Sequence, residues 1–285
     1  MDVADPRGAI REDPAVRTVS CDLWFRVHER AELVLQVVAA ASAGVVFAER
    51  LEVGTGGAAV PFGELHGPSG GRLHVVHAAP GPLSVSYRGE IGVRPRPGPG
   101  PASPRGYDEQ VLLRPSRYCP SDHLVGFAVA EFGTGPGAGE RVARIERWIR
   151  ERVGYVPGSS GVHDSAEDTL LTGVGTCRDF AHLGVALCRA TGVPARFASV
   201  YAPGLAPMEF HAVFEAFEDG RWCAHDATGL APRPAMVRIA TGRDAADAAF
   251  AAVTAGIADL DAVEVSATVG GVLPADDHLG AVELA

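Results

Sequence analysis

The chain predicts an α+β protein in two parts: a β-sandwich-like domain, then a domain in which helices precede an antiparallel sheet. Before Arg94 the sequence is a succession of β-rich runs separated by Gly, Pro and Ser turns. Between Pro95 and Pro104 five of ten residues are proline, a stiff, extended connector of the kind that separates folding units. Beyond it, helical periodicity runs up to a helix opened by a glycine-rich turn at Gly173, and strands follow after Pro194. The expected division is a β-rich domain over 1–107 and a second domain over 108–285.

In the first part, Thr18 to His28 alternates in part, Leu33 to Ala41 is an apolar run broken only by Gln36, and Leu73 to His77 and Leu83 to Val93 are β-rich. His66, His74 and His77 do not form a metal set. His74 and His77 stand three apart on a strand and point to opposite faces, so surface or hydrogen-bonded histidines are expected. Past the connector, Ser121 is a suitable N-cap for the apolar run Leu124 to Phe132. Gly133 to Gly139 reads as a linker, since no Gly-Lys-Ser/Thr follows to make a phosphate loop. Val142, Ile145, Trp148, Ile149 and Val153 recur at helical spacing, and a third helix is expected within Ala166 to Leu171. After Pro194, Arg196 to Tyr201 is a strand, and His211 to Phe217 and Trp222 to Thr228 flank Asp219-Gly220, a strong hairpin signal. Val237 to Ala240, a polar turn over Gly242 to Asp247 and a last strand near Val263 to Val269 complete the chain.

Composition bounds the function. Hydrophobic residues at 47% and charged residues at 21% in 285 residues describe a globular protein with a sizeable core. A formal charge of −10 argues against nucleic acid or an anionic membrane surface as partner, because both attract excess basic residues. Five widely spaced cysteines with no Cys-x-x-Cys pair suggest neither a disulfide framework nor a zinc site, and fit a reducing compartment. The N-terminus has no basic region followed by an apolar core, and no segment approaches the roughly 20 apolar residues of a membrane span. A cytoplasmic protein is expected, with no metal or organic cofactor.

The stretch from Gly173 to Gly192 carries the chemistry. It delivers Cys177 to the first turn of a helix, beside unpaired backbone N–H groups and the positive end of the helix dipole, which favour a thiolate. A nucleophilic cysteine needs a base within hydrogen-bond reach and a third group to orient that base. His182 lies five residues along the helix, about 140° around the axis, and is excluded. Cys188 shares the face of Cys177 but sits about 16 Å along the axis, too far for a disulfide. His211 is the better base, because it opens a strand in which Val213, Glu215 and Phe217 share its face. Pairing around Asp219-Gly220 sets residue 215 opposite 224, 213 opposite 226 and 211 opposite 228, making Asp226 a diagonal neighbour of His211. His225 falls on the opposite face.

Thr172-Gly-Val-Gly-Thr-Cys-Arg-Asp-Phe-Ala-His-Leu, Thr191-Gly-Val-Pro-Ala-Arg-Phe, Phe210-His-Ala-Val-Phe-Glu-Ala-Phe and His225-Asp-Ala-Thr together resemble the small bacterial members of the transglutaminase-like superfamily. The resemblance is close over about Val142 to Asp247, and the β-rich first part is similar, with less specific motifs, to the accessory domain such proteins carry. It implies a papain-like core in which the cysteine helix packs on a sheet bearing the histidine and aspartate, with Cys177 as nucleophile, His211 as base and Asp226 as orienting acid. Val213 departs from the family's frequent Trp, and Ala227 from its frequent Pro. Arg178-Asp179 and Gly242 to Asp247 match recurrent family segments, for which salt-bridge or turn roles are expected. The implied activity is acyl transfer from an amide or thioester of a peptide, protein or small molecule. Water is favoured slightly over an amine as acceptor. The alternatives are a transglutaminase or amide-forming acyltransferase, and a binding protein that keeps the fold without turnover.

Overall fold

The computed structural model describes residues 16–67, 70–92, 106–135 and 137–284, so the proline connector expected at 95–104 lies outside the described residues. The first part contributes seven strands: β1 (Val16–Val27), β2 (Ala31–Leu35), β3 (Val45–Thr55), β4 (Ala58–Ala59), β5 (Phe62–His66), β6 (Arg72–Ala78) and β7 (Gly81–Gly92). Alternation decides their inner faces. Val19, Cys21, Leu23, Phe25 and Val27 of β1 and Leu83, Val85, Tyr87 and Ile91 of β7 are buried, facing Leu33 and Leu35 of β2 and Val76 of β6. His74 is buried beside Glu64 while His77 is exposed, as the alternation predicts, and His66 is exposed at the end of the exposed strand β5.

The second part begins with α1 (Tyr107–Val111), α2 (Val125–Phe132) and α3 (Ala138–Arg152), then β8 (Gly154–Tyr155), α4 (Ala166–Thr172), β9 (Val174–Gly175) and α5 (Cys177–Ala190). It continues through β10 (Ala195–Tyr201), β11 (Phe210–Glu218), β12 (Arg221–His225), β13 (Val237–Gly242), α6 (Ala245–Ala248), β14 (Ala251–Ala255) and β15 (Ala258–Val269). Ser121 does not cap α2. Residues 121–124 form a turn, with the Leu124 N–H bonded to the Ser121 carbonyl, so the helix starts only at Val125.

One sheet runs β15-β1-β7-β3-β4, a second β14-β2-β6-β5, and a third β12-β11-β10-β13. The expected division at 107/108 therefore needs a correction. β14 and β15 supply an edge strand to each of the first two sheets, with Cys21 opposite Val265 and Leu33 opposite Val253. Pairing across more than 200 residues leaves no local mark, so the sequence could not reveal it. The Leu33–Ala41 run also divides. Its strand stops at Leu35, and Val37 to Ala40 continue as a buried irregular segment between the two parts. There Tyr201 donates to the Val37 carbonyl at 2.6 Å and Tyr87 accepts from the Ala39 N–H at 3.2 Å. One apolar core thus runs from β1 and β7 through this segment to Phe197, Tyr201 and Ile239.

A second core joins Val142, Ile145 and Ile149 of α3 to Leu183 and Leu187 of α5 and Phe214 of β11. Gly184 lets α5 approach the sheet, since a Cβ there would stand 2.5 Å from the Phe214 ring. The β11–β12 turn has φ 49° at Asp219 and 83° at Gly220, the left-handed pair that a two-residue hairpin requires. Among the described residues, no helix is long and apolar enough to cross a membrane.

Candidate active site

Two glycines explain how Cys177 reaches the head of α5. Gly173 ends α4 in the left-handed region, at φ 68°. Gly175 allows the chain to pass Asp179, whose Cβ would lie 2.7 Å from a Cβ at position 175. Asp179 then closes a capping box, its carboxylate accepting from the Thr176 N–H and hydroxyl at 2.8 Å each. Burial pushes the Asp179 carboxyl up, but hydrogen bonds from Ser160 and Thr176 and the charge of Arg178 outweigh it and hold the group ionised. Arg178 donates to Asp179 and to the Gly161 carbonyl, the structural role expected of this pair.

His211 lies near the start of β11 and is 2% exposed. Its Nε2 donates to Asp226 Oδ2 at 3.0 Å, and the Cys177 thiol lies close enough to the ring to act on its proton affinity. The three residues singled out from the sequence are therefore brought together. The ladder sets Glu215 opposite Ala224, as the turn predicts, and ends at Phe214 and His225, one residue short of Asp226. Burial works against a charged His211 ring, but the Asp226 carboxylate and the Cys177 sulfur push its pKa up to about 10. Burial likewise opposes the Asp226 charge, yet His211 and Thr228 keep the carboxyl below its usual range.

Cys177 is half-buried, whereas Cys21, Cys119, Cys188 and Cys223 are buried. Burial pushes the Cys21 thiol up to about 11 and those of Cys119 and Cys223 up to about 12. His182 is no competitor as base. Its Nε2 accepts the Ala245 N–H at 3.1 Å, its ring stacks on Tyr118, and burial pushes its pKa down to about 3. Asp244, within the polar turn, caps α6 and accepts the Tyr118 N–H at 2.9 Å.

Sequence reasoning missed four side chains. Thr228 anchors Asp226, its N–H and hydroxyl donating to Oδ1 at 3.0 and 2.6 Å; the Asp-x-Thr spacing is a turn signal that was available. Tyr155, carried to the site by the β8–β9 pair, leans on Phe180 at 6.0 Å between ring centroids. Burial, then electrostatic interaction with Cys177, Glu209 and Asp226, pushes its phenol up to about 12, so it stays neutral. Glu146 on α3 and Glu218 on β11 enclose His225, whose Nδ1 and Nε2 meet them at 2.7 and 2.6 Å. A glutamate on the buried apolar stripe of α3 was the clue to Glu146.

The profile of the Transglutaminase-like superfamily matches residues 128–227, which contain Cys177, His211 and Asp226. A crystal structure from Cytophaga hutchinsonii, described as a "putative cysteine protease", superposes with a TM-score of 0.83 at 34% identity, covering 93% of this chain and 96% of that one. An uncharacterized protein of Mycobacterium leprae is 29% identical over 154 residues, 50% of this chain and 53% of the relative. The chain thus matches about half the length of that curated relative. With the superfamily profile spanning the cysteine, histidine and aspartate, and a close structural likeness along nearly the whole chain, the protein belongs to the transglutaminase-like superfamily.

Proposed function

We infer that the protein is a cysteine-dependent acyl-transfer enzyme acting on amide or thioester carbonyls, with hydrolysis of a peptide or isopeptide-like amide as its reaction. The observation that carries this reading is the buried His211–Asp226 hydrogen bond at 3.0 Å, with the Cys177 thiol beside the imidazole. The Cys177 thiolate attacks the carbonyl carbon and forms the C–S bond. As the tetrahedral adduct collapses, the C–N bond breaks and the His211 Nδ1–H protonates the departing amine. His211, now neutral, takes a proton from water as the water oxygen attacks the thioester, and Cys177 leaves as thiolate. Asp226 accepts the Nε2–H throughout and keeps Nδ1 directed at the sulfur. The Cys177 N–H, first of α5 and without an intrahelical acceptor, stabilises the developing oxyanion in this scheme, and the Tyr155 phenol, which interacts electrostatically with Cys177, is the candidate for a second donor.

The net charge of −10 supports a peptide, protein or small acyl substrate over nucleic acid or an anionic membrane. Five free cysteines support a reducing, cytoplasmic setting.

Intact-mass spectrometry after mixing with peptide thioesters and p-nitrophenyl esters tests the reading. An acyl adduct is expected on the wild type and not on Cys177→Ala. No adduct across the panel would favour a binding protein without turnover. Added glycinamide or cadaverine tests the acceptor, and amide outrunning acid would make the protein a transferase. The chain contains no lysine, so self-linkage through ε-amines does not confuse that measurement.

A further inference from the structure

Asp226 stands just beyond the last rung of the β11–β12 ladder, so its position depends on ties outside the sheet. His225, the preceding residue, is 6% exposed and lies between two carboxylates that are themselves buried: Glu146 from α3 and Glu218 from β11. Arg150 closes a ring of contacts, with Nη2 donating both to Glu146 Oε1 at 2.8 Å and to the Asp226 carbonyl at 3.0 Å. Gly229 donates its N–H to the same carbonyl.

We propose that His225, held as an imidazolium between Glu146 and Glu218, is a positioning residue that fixes Asp226 against His211 and thereby sets the charge state of the Cys177–His211 pair.

A neutral imidazole has a single N–H, and here each ring nitrogen faces a carboxylate oxygen at hydrogen-bond distance. The neutral ring would turn a lone pair towards a buried carboxylate; the cation donates to both. Two carboxylates are then balanced by His225 and Arg150, leaving no unpaired charge next to the site. Other charged and titratable groups stand farther out around the cluster: Cys188 of α5 is a buried thiol, His278 Nδ1 stands 3.9 Å from Glu146, and Arg233, paired with Asp276 at 2.8 Å, also acts on Glu146 through its charge. Phe214 stacks on the His225 ring at 5.1 Å and blocks its rotation. Burial alone would push His225 down, but the hydrogen bonds and charges of Glu146 and Glu218 push it up to about 9. Losing that proton leaves excess negative charge beside Asp226 and releases one arm of the clamp, so Asp226 loses its hold on His211.

The proposal rests on the catalytic reading of Cys177, His211 and Asp226, and the test separates the two. Long-range proton–nitrogen spectra of the full chain labelled at histidine, recorded between pH 5 and 10, follow both imidazoles, while iodoacetamide labelling at pH 6 reports Cys177. In the wild type both ring nitrogens of His225 are expected to carry protons at pH 7.5. Glu218→Gln should make His225 neutral at that pH, lower the His211 titration by about a unit and slow Cys177 labelling about tenfold. Arg150→Met, at a partly exposed side chain, should give a smaller shift of His211 and about threefold slower labelling. A His225 already neutral in the wild type overturns the proposal. So does a neutral His225 in Glu218→Gln with His211 unmoved. Should Glu218→Gln fail to fold, an unchanged His211 titration in Arg150→Met overturns it alone. Wild-type Cys177 reacting at pH 6 no faster than a free thiol defeats the catalytic reading instead, while the His211 shift still decides the positioning role.

Discussion

The β11–β12 hairpin carries two buried imidazoles with opposite fates. His211 has a carboxylate on one ring nitrogen and lies beside the half-buried Cys177 thiol; His225, at the last rung of the paired segment on the neighbouring strand, has a carboxylate on each nitrogen. Both are held protonated against the cost of burial. In the proposed acyl-transfer reading, only His211 faces a group that exchanges its proton with a substrate. An imidazole becomes a base when one of its nitrogens is left to a reactive partner, and a structural cation when both are committed to carboxylates.

The sharpest way to break this contrast is to remove the exchangeable partner. Cys177→Ala should lower kcat/KM by roughly three orders of magnitude or more and abolish the acyl adduct, as expected when the nucleophile of a concerted unit is lost. Asp226→Asn should cost about 10²- to 10⁴-fold in kcat with KM little changed, because the amide reorients the imidazole without emptying its site. Tyr155→Phe should lower kcat about tenfold if the phenol meets the oxyanion, and leave Cys177 labelling unaltered. Thr228→Val frees Asp226 Oδ1 of both its hydroxyl donor and part of its orientation, for an expected loss of about three- to tenfold in kcat.

Stability sharpens the comparison from the other side. An unfolded imidazole titrates near ~6.5, whereas folded His225 is raised to about 9. Its contribution is therefore full below about pH 6.5 and is lost as pH rises through the folded value. Tm should fall between pH 6.5 and 9.5 in the wild type, and fall less in Glu218→Gln, where the folded pKa is no longer raised as far. An equal fall in both would show that His225 does not carry the effect.

The parts that were legible in the sequence are those set by neighbours along the chain. Gly173, Gly175 and Thr176 mark the entry to α5 because a helix start is built from three or four consecutive residues. Asp219-Gly220 gave the hairpin and the Glu215–Ala224 pairing because both turn residues must take positive φ. The same local logic misled at Ser121, where an apt capping residue sits in a turn ahead of the helix, and at Leu33–Ala41, where near-continuous apolar character meant burial between two parts and not a long strand. β14 and β15 were assigned to the second domain because the partners of an edge strand are not written beside it.

Residue order alone singled out Cys177, His211 and Asp226 as the candidate set, since helix starts, two-residue turns and the alternation of a strand act over a few bonds. Folding decided which imidazole meets which acid. Glu146 reaches His225 across 79 positions, and Tyr155 enters the site through a two-residue parallel pair. Proton affinity depends on desolvation and on charges a few ångströms away, and only the packed structure sets those distances. For that reason His211 and His225, fourteen residues apart on one hairpin, are read as a base and a clamp.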